Sequence, residues 1–342
     1  MKLSVFAGAL LVAILTAGGN AAGQSGQPGR HMAPPQDRAH AKPGFWRPSS
    51  FDRPYDPHSE LSRAEFKVVN ERLRAITEVL WESAALKSPV GFEVAVSRAV
   101  GISTETLDAS SKRLPGSSLR VQLFRYIQTC ESCPIEAQAE SSSHIDIRFN
   151  SIYPVFPLWQ KPYESDAEGP IYVGPFPKGD LAGFTIYQAP GRGPKLLLTN
   201  RVKRPVLVPV SQERYLRARI GRAQKGLDGY RSRGQTNDYL IRDIAALESE
   251  LAGFSAVERA APAHVGGATS RPSGLSPAFD RKSQALLAPN PEFYDRTLPR
   301  TSLQVAVVET YPAELTSASF SVQKVQELLD TVDWKRIAGL LD

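Results

Sequence analysis

Apolar residues recur every three or four positions from Phe66 to Ala84. Phe66, Val69, Leu73, Ile76, Leu80 and Ala84 share one face of a helix that must pack on a core. Ser62 and Glu65 stand at the spacing of a capping box, and Leu61 and Phe66 flank them as a hydrophobic staple. Pro89 is expected to end the helix, because it lacks an amide donor and clashes with the preceding turn.

The period then falls to two. Phe92, Val94 and Val96 alternate with Glu93, Ala95 and Ser97. Leu119, Val121 and Leu123 alternate with Arg120 and Gln122. In the run from His144 to Asn150, Ile145, Ile147 and Phe149 point one way. Such alternation predicts a sheet with one buried and one polar face. Two or three more strands are expected between Ala182 and Val210, broken by the turn Pro190-Gly191-Arg192-Gly193-Pro194.

Helical spacing returns after Ser211, an N-cap residue. Leu216, Ile220, Ala223 and Leu227 mark one helix, and Leu240, Ile244, Leu247 and Leu251 a second, with a break near Arg233-Gly234. Ser255 to Asn290 is rich in Ala, Pro, Gly and Ser and reads as a long flexible loop. Leu303, Val305 and Val307 predict a further strand. Val322, Val325, Leu329, Val332, Ile337 and Leu340 predict a closing helix, or two short ones meeting near Asp333. The fold class expected is α+β: a capped N-terminal helix, a mainly antiparallel sheet, a helical hairpin and a C-terminal helix, forming a single domain over 61–342.

The two ends of this pattern are set by composition. Lys2 precedes the apolar run Leu3–Thr16, and the small residues Ala17 to Ala22 follow. This is the layout of a signal peptide over 1–22, cut after Ala21 or Ala22. It places the mature chain in the periplasm or outside the cell. No later run is long and apolar enough to predict a membrane span. Residues 23–60, rich in Pro, Gly, Arg, Ser and Gln, read as a disordered leader that Phe45, Trp46, Phe51 and Tyr55 could pin to the domain.

Charge changes the picture more. The whole chain carries +6, yet Lys195 to Arg233 holds eleven Lys and Arg against two acids, a local +9. On the helix after Ser211, Arg214, Arg217, Arg222 and Lys225 lie opposite the apolar stripe, with Arg201, Lys203 and Arg204 just upstream. This surface would attract phosphates or carboxylates. Export points to an anionic envelope polymer or lipid headgroups and away from nucleic acid.

Candidate chemistry is thinner. Cys130-Glu131-Ser132-Cys133 is the only cysteine pair. In an oxidising compartment it reads as a small structural disulfide, with thiol redox work as the sharper alternative. Two cysteines exclude a four-thiolate metal site, so no metal is expected there. His144, Asp146 and Arg148 share the polar face of one strand and could touch a ligand or serve acid–base chemistry. Between Ser151 and Pro194 stand eight aromatics and eight prolines, from which Trp159 and Tyr163 are the expected contact residues. G-x-S-x-G, H-E-x-x-H and phosphate-loop patterns are absent, and no cofactor is expected. The expected function is therefore non-enzymatic binding of an anionic partner, with a periplasmic hydrolase or thiol oxidoreductase as the alternative. N-terminal sequencing of the exported chain should begin at Ala22 or Gly23. An uncleaved Met1 start in the exported fraction would remove the signal reading.

Overall fold

A computed structural model describes residues 35–47, 52–57, 61–102, 114–141, 143–152, 155, 162–174, 176–188, 193–200, 205–290, 292–311 and 319–342. A short helix α1 (Pro35–Ala41) precedes the long α2 (Arg63–Trp81) and α3 (Ala84–Lys87). Strands β1 (Phe92–Ile102), β2 (Gly116–Ile127), β3 (Glu136–Ala137) and β4 (Ser143–Phe149) follow. Next come β5 (Glu164–Asp166), β6 (Gly169–Val173), β7 (Phe176–Leu181), β8 (Phe184–Gln188), β9 (Pro194–Leu198) and β10 (Leu207–Pro209). The chain then forms α4 (Gln212–Arg231), α5 (Asp238–Gly253), α6 (Ala256–Ala260), β11 (His264–Val265) and β12 (Gln284–Pro289). It closes with β13 (Ala306–Tyr311), α7 (Phe320–Thr331) and α8 (Trp334–Gly339).

The strands build two antiparallel sheets. The larger runs β1-β2-β4-β13-β9-β8-β7, with β3 paired to β2; the smaller runs β10-β12-β6-β5, with β11 paired to β12. The fold is α+β. On the large sheet, the apolar parity of each strand (Val94, Val121, Ile145, Ile147, Val308, Leu196) faces a layer of α2, α3, α7 and α8, with Leu73, Ile76, Leu86, Val325 and Trp334 fully buried. The small sheet turns Ile171, Val173, Leu286 and Ala288 towards Tyr215, Leu216 and Ala218 of α4 and Leu247 of α5. A third cluster, including Tyr172, Leu197, Phe293 and Val307, joins the two. Among the described residues no helix is long and apolar enough to cross a membrane.

Local chemistry sets most helix boundaries. Ser62 and Glu65 make the reciprocal capping box at α2, and the Ser211 hydroxyl accepts from the Arg214 amide at α4. Asp333 caps α8, so the closing element is two helices. Helix α2 ends at Trp81, before Pro89 acts. Ser83 turns extended, its hydroxyl donates to the Leu80 carbonyl, and α3 restarts the chain.

Two stretches carry more structure than their composition suggests. Residues 255–290, expected as a flexible loop, hold α6 with its own capping box, β11 and β12. The leader's second half straps the outer edge of β1. Arg47 donates its amide to the Val94 carbonyl, the Val94 amide donates to Phe45, and the Arg53 amide to Arg98. Trp46 anchors the strap, its indole donating to the Leu86 carbonyl and packing on Trp81. Gly44 is required there, because a Cβ would lie 1.8 Å from the Phe92 carbonyl oxygen.

Asn150 fixes the start of β13 against the end of β4. Its φ is 56°, its side-chain amide donates to the Ser302 (2.8 Å) and Pro115 (3.3 Å) carbonyls, and its oxygen accepts from Gln304 (2.8 Å). Asn tolerates the left-handed region better than other residues with a Cβ. Asn150→Ala should cost about 2–4 kcal/mol, from the positive φ and the orphaned Gln304 amide. Urea unfolding checks this, and a loss below the range of a surface substitution would contradict it.

Candidate functional site

The basic helix meets an acidic strand of its own chain. Arg214 grips Asp166 of β5 through two nitrogens (2.8 and 3.1 Å) and reaches Glu168 at 3.3 Å. Arg222 lies 2.9 Å from Glu164 of β5, whose side chain is 1% exposed. Burial pushes the Glu164 carboxyl above its usual range, and Arg222 and Arg219 pull it back. Arg219 donates to the Ser273 carbonyl, which the buried Tyr215 hydroxyl also uses. Arg214 and Arg219 thus face inward and tie β5 and the 272–273 turn to α4.

An outer set of cations remains on the solvent side. Arg217 is 66% exposed and pairs along the helix with Glu213, while Arg222 is 62% exposed and Lys225 is exposed. At roughly 100° per residue, 217, 222 and 225 span about 140° of the helix circumference. Arg231 continues the series, exposed beside Asp228 at 3.5 Å. Arg201, Lys203 and Arg204 lie outside the described residues.

The second cluster crosses the large sheet. The register sets Arg120 of β2 opposite Asp146 of β4, and Asp146 opposite Glu309 of β13. Arg120 clamps both Asp146 oxygens at 2.5 and 2.8 Å. Glu309 stands between Arg148 (3.1 Å) and Lys195 of β9 (2.9 Å), and the Lys195 side chain is 4% exposed. His144 stacks on Tyr311 with ring centroids 5.1 Å apart, and its Nε2 is 4.0 Å from Asp146. The structure therefore brings His144, Asp146 and Arg148 to one face, as the alternation implies. Asp146 serves Arg120, so it does not hold the imidazole as an orienting carboxylate would. Burial lowers the His144 pKa, with Asp146 opposing and Arg120 assisting, which keeps the ring neutral at neutral pH.

Arg120, Lys195, Glu309 and Tyr311 were not among the sequence candidates. Each lies on the parity opposite the residues that face the helical layer, but the pattern of one strand does not say which strand lies beside it. Of the remaining candidates, Tyr163 adjoins the first cluster and the cysteines join neither. Cys130 and Cys133 lie at disulfide distance, Cα to Cα 5.0 Å, in an exposed turn. Gln128 pins that turn by donating to the Glu131 and Cys133 carbonyls. Tyr163 is 39% exposed and stacks on Tyr215 at 6.1 Å; Tyr172 is buried, and Trp159 lies outside the described residues. Among the described residues no group of three or more His, Cys, Asp or Glu is placed to hold a metal ion.

No protein-family model, curated protein or solved structure gives a match to this chain.

The His144 environment has a pH signature. Its folded pKa is depressed, so the unfolded chain binds the extra proton first as pH falls through about 6.5. Stability should be complete above that value and decline below it; His40, also lowered chiefly by burial, acts with the same sign. His144→Gln should shrink the stability lost between neutral pH and about pH 5, read as urea midpoints. Equal losses in both proteins would contradict the desolvated ring.

Proposed function

We propose that this chain is an exported, non-enzymatic protein that binds an anionic component of the cell envelope through the outer face of α4. The observation that carries the reading is the solvent-facing set Arg217, Arg222 and Lys225, on the side of the helix away from the buried Leu216, Ala223 and Leu227. The export-type N-terminus and the local charge of +9 favour an anionic partner outside the cytoplasm. Arg214 takes a different role from the one its charge suggests: it holds Asp166 and stabilises the fold. The clamped Asp146 and the stacked His144 favour a structural part for the sheet face.

Low-salt binding to anionic vesicles and to a soluble polyanion tests this reading. Each surface cation near an anionic layer contributes about 1 kcal/mol, so Arg217→Ala/Lys225→Ala should weaken binding roughly ten- to thirtyfold and reduce its salt dependence. Arg214→Ala should instead lower stability by about 2–3 kcal/mol, read by urea unfolding, because it strands the half-buried Asp166. Absent low-salt binding, or a double variant that binds like the parent, would end the proposal.

A further inference from the structure

Between β11 and β12 the chain folds into a turn that is stiff, cationic and tipped by one aromatic ring. Phe279 is 90% exposed, more than any other large apolar side chain among the described residues. Its neighbours Pro277, Ala278, Arg281 and Lys282 are exposed too.

The turn is held from inside by short polar groups. The Asp280 carboxylate accepts the Ala268 amide on one oxygen and the Lys282 amide on the other, both at 2.8 Å. The Asp280 amide donates to the Pro277 carbonyl and the Ser283 amide to the Asp280 carbonyl, closing the backbone on either side of the ring. Ser276 joins Ser283 at 2.7 Å and accepts from Gly267. At the base, Glu250 of α5 accepts from the amide and hydroxyl of Ser273. The backbone under Phe279 is therefore fixed before any partner arrives, so little ordering entropy opposes its insertion.

We propose that the 277–282 turn is a membrane-insertion tip, which seats Phe279 at the headgroup–acyl boundary of an anionic bilayer while Arg281 and Lys282 meet lipid phosphates. The inference rests on the envelope-binding reading and narrows its partner to lipid. The chemistry is complementary on both counts. The ring gains an apolar phase that a hydrated polymer does not offer. The two cations gain a negative surface, and the one acid of the tip is directed at its own backbone amides.

The experiment compares sedimentation with phosphatidylglycerol-containing vesicles, with pure phosphatidylcholine vesicles and with soluble polyphosphate, using the full mature chain. Phe279→Ser should weaken binding to the anionic vesicles about tenfold and leave polyphosphate binding unchanged. Phe279→Trp should bind the same vesicles like the parent, and its added emission should move to the blue and be quenched by brominated lipid. Arg217→Ala/Lys225→Ala should weaken both vesicle and polyphosphate binding, so the two readings fail separately. Phe279-dependent vesicle binding that ignores Arg217 and Lys225 would remove the α4 reading and keep the insertion tip. The tip is overturned by a parent that ignores anionic vesicles, by equal binding to phosphatidylcholine, by Phe279→Ser binding like the parent, or by Phe279-dependent self-association in place of vesicle binding.

Discussion

Lys195 keeps only 4% of its side chain in contact with water, and the carboxylate of Glu309 stands 2.9 Å from its nitrogen. An unpaired charge moved to such a site would cost several kcal/mol. The same requirement acts on Asp146 under Arg120, on Glu164 under Arg222, and on Asp166 under Arg214. These pairs cross between elements far apart in sequence. They exclude registers and helix placements that would leave one member alone, so charge matching acts with apolar packing to select a single arrangement.

That requirement divides α4 into two layers. The inward arginines spend their charge on β5 and on carbonyls of the 272–273 turn; of the outward ones, Arg222 also pairs with Glu164 of β5, while Arg217 pairs with Glu213 on its own helix. Net charge counted along a sequence does not make this division. A segment of +9 can be partly consumed at home when the acids that pair with it sit about fifty residues earlier.

What the sequence made legible follows from the range of each interaction. Caps and periodicity act within a few residues, so Ser62 and Ser211 could be read directly, while periodicity alone allowed one closing helix or two and the Asp333 cap makes it two. The sheet face was half readable. His144, Asp146 and Arg148 come from one alternation, but Arg120, Lys195 and Glu309 depend on strand order. The stretch 255–290 was misleading for a different reason. Its order comes from Ser, Thr and Asp side chains bonded to nearby backbone, and those residues are also the composition of mobile linkers. The leader's strap was signalled only by its aromatics, of which Trp46 carries most of the anchoring.

The strap on β1 also has a meaning for the chain's solution behaviour. An uncovered strand edge offers a ready template to other chains, and proteins block such edges with charges, short strands or covering segments. Among the described residues the cover is 43–47 with 52–53, held by the close approach of Gly44, by Trp46 and by the Arg47–Glu93 and Arg98–Asp52 ion pairs. It belongs to a part of the chain whose composition invites proteolysis. Trimming there would take Trp46 from the rim of the core and expose an eleven-residue strand edge as a template for other copies of the chain.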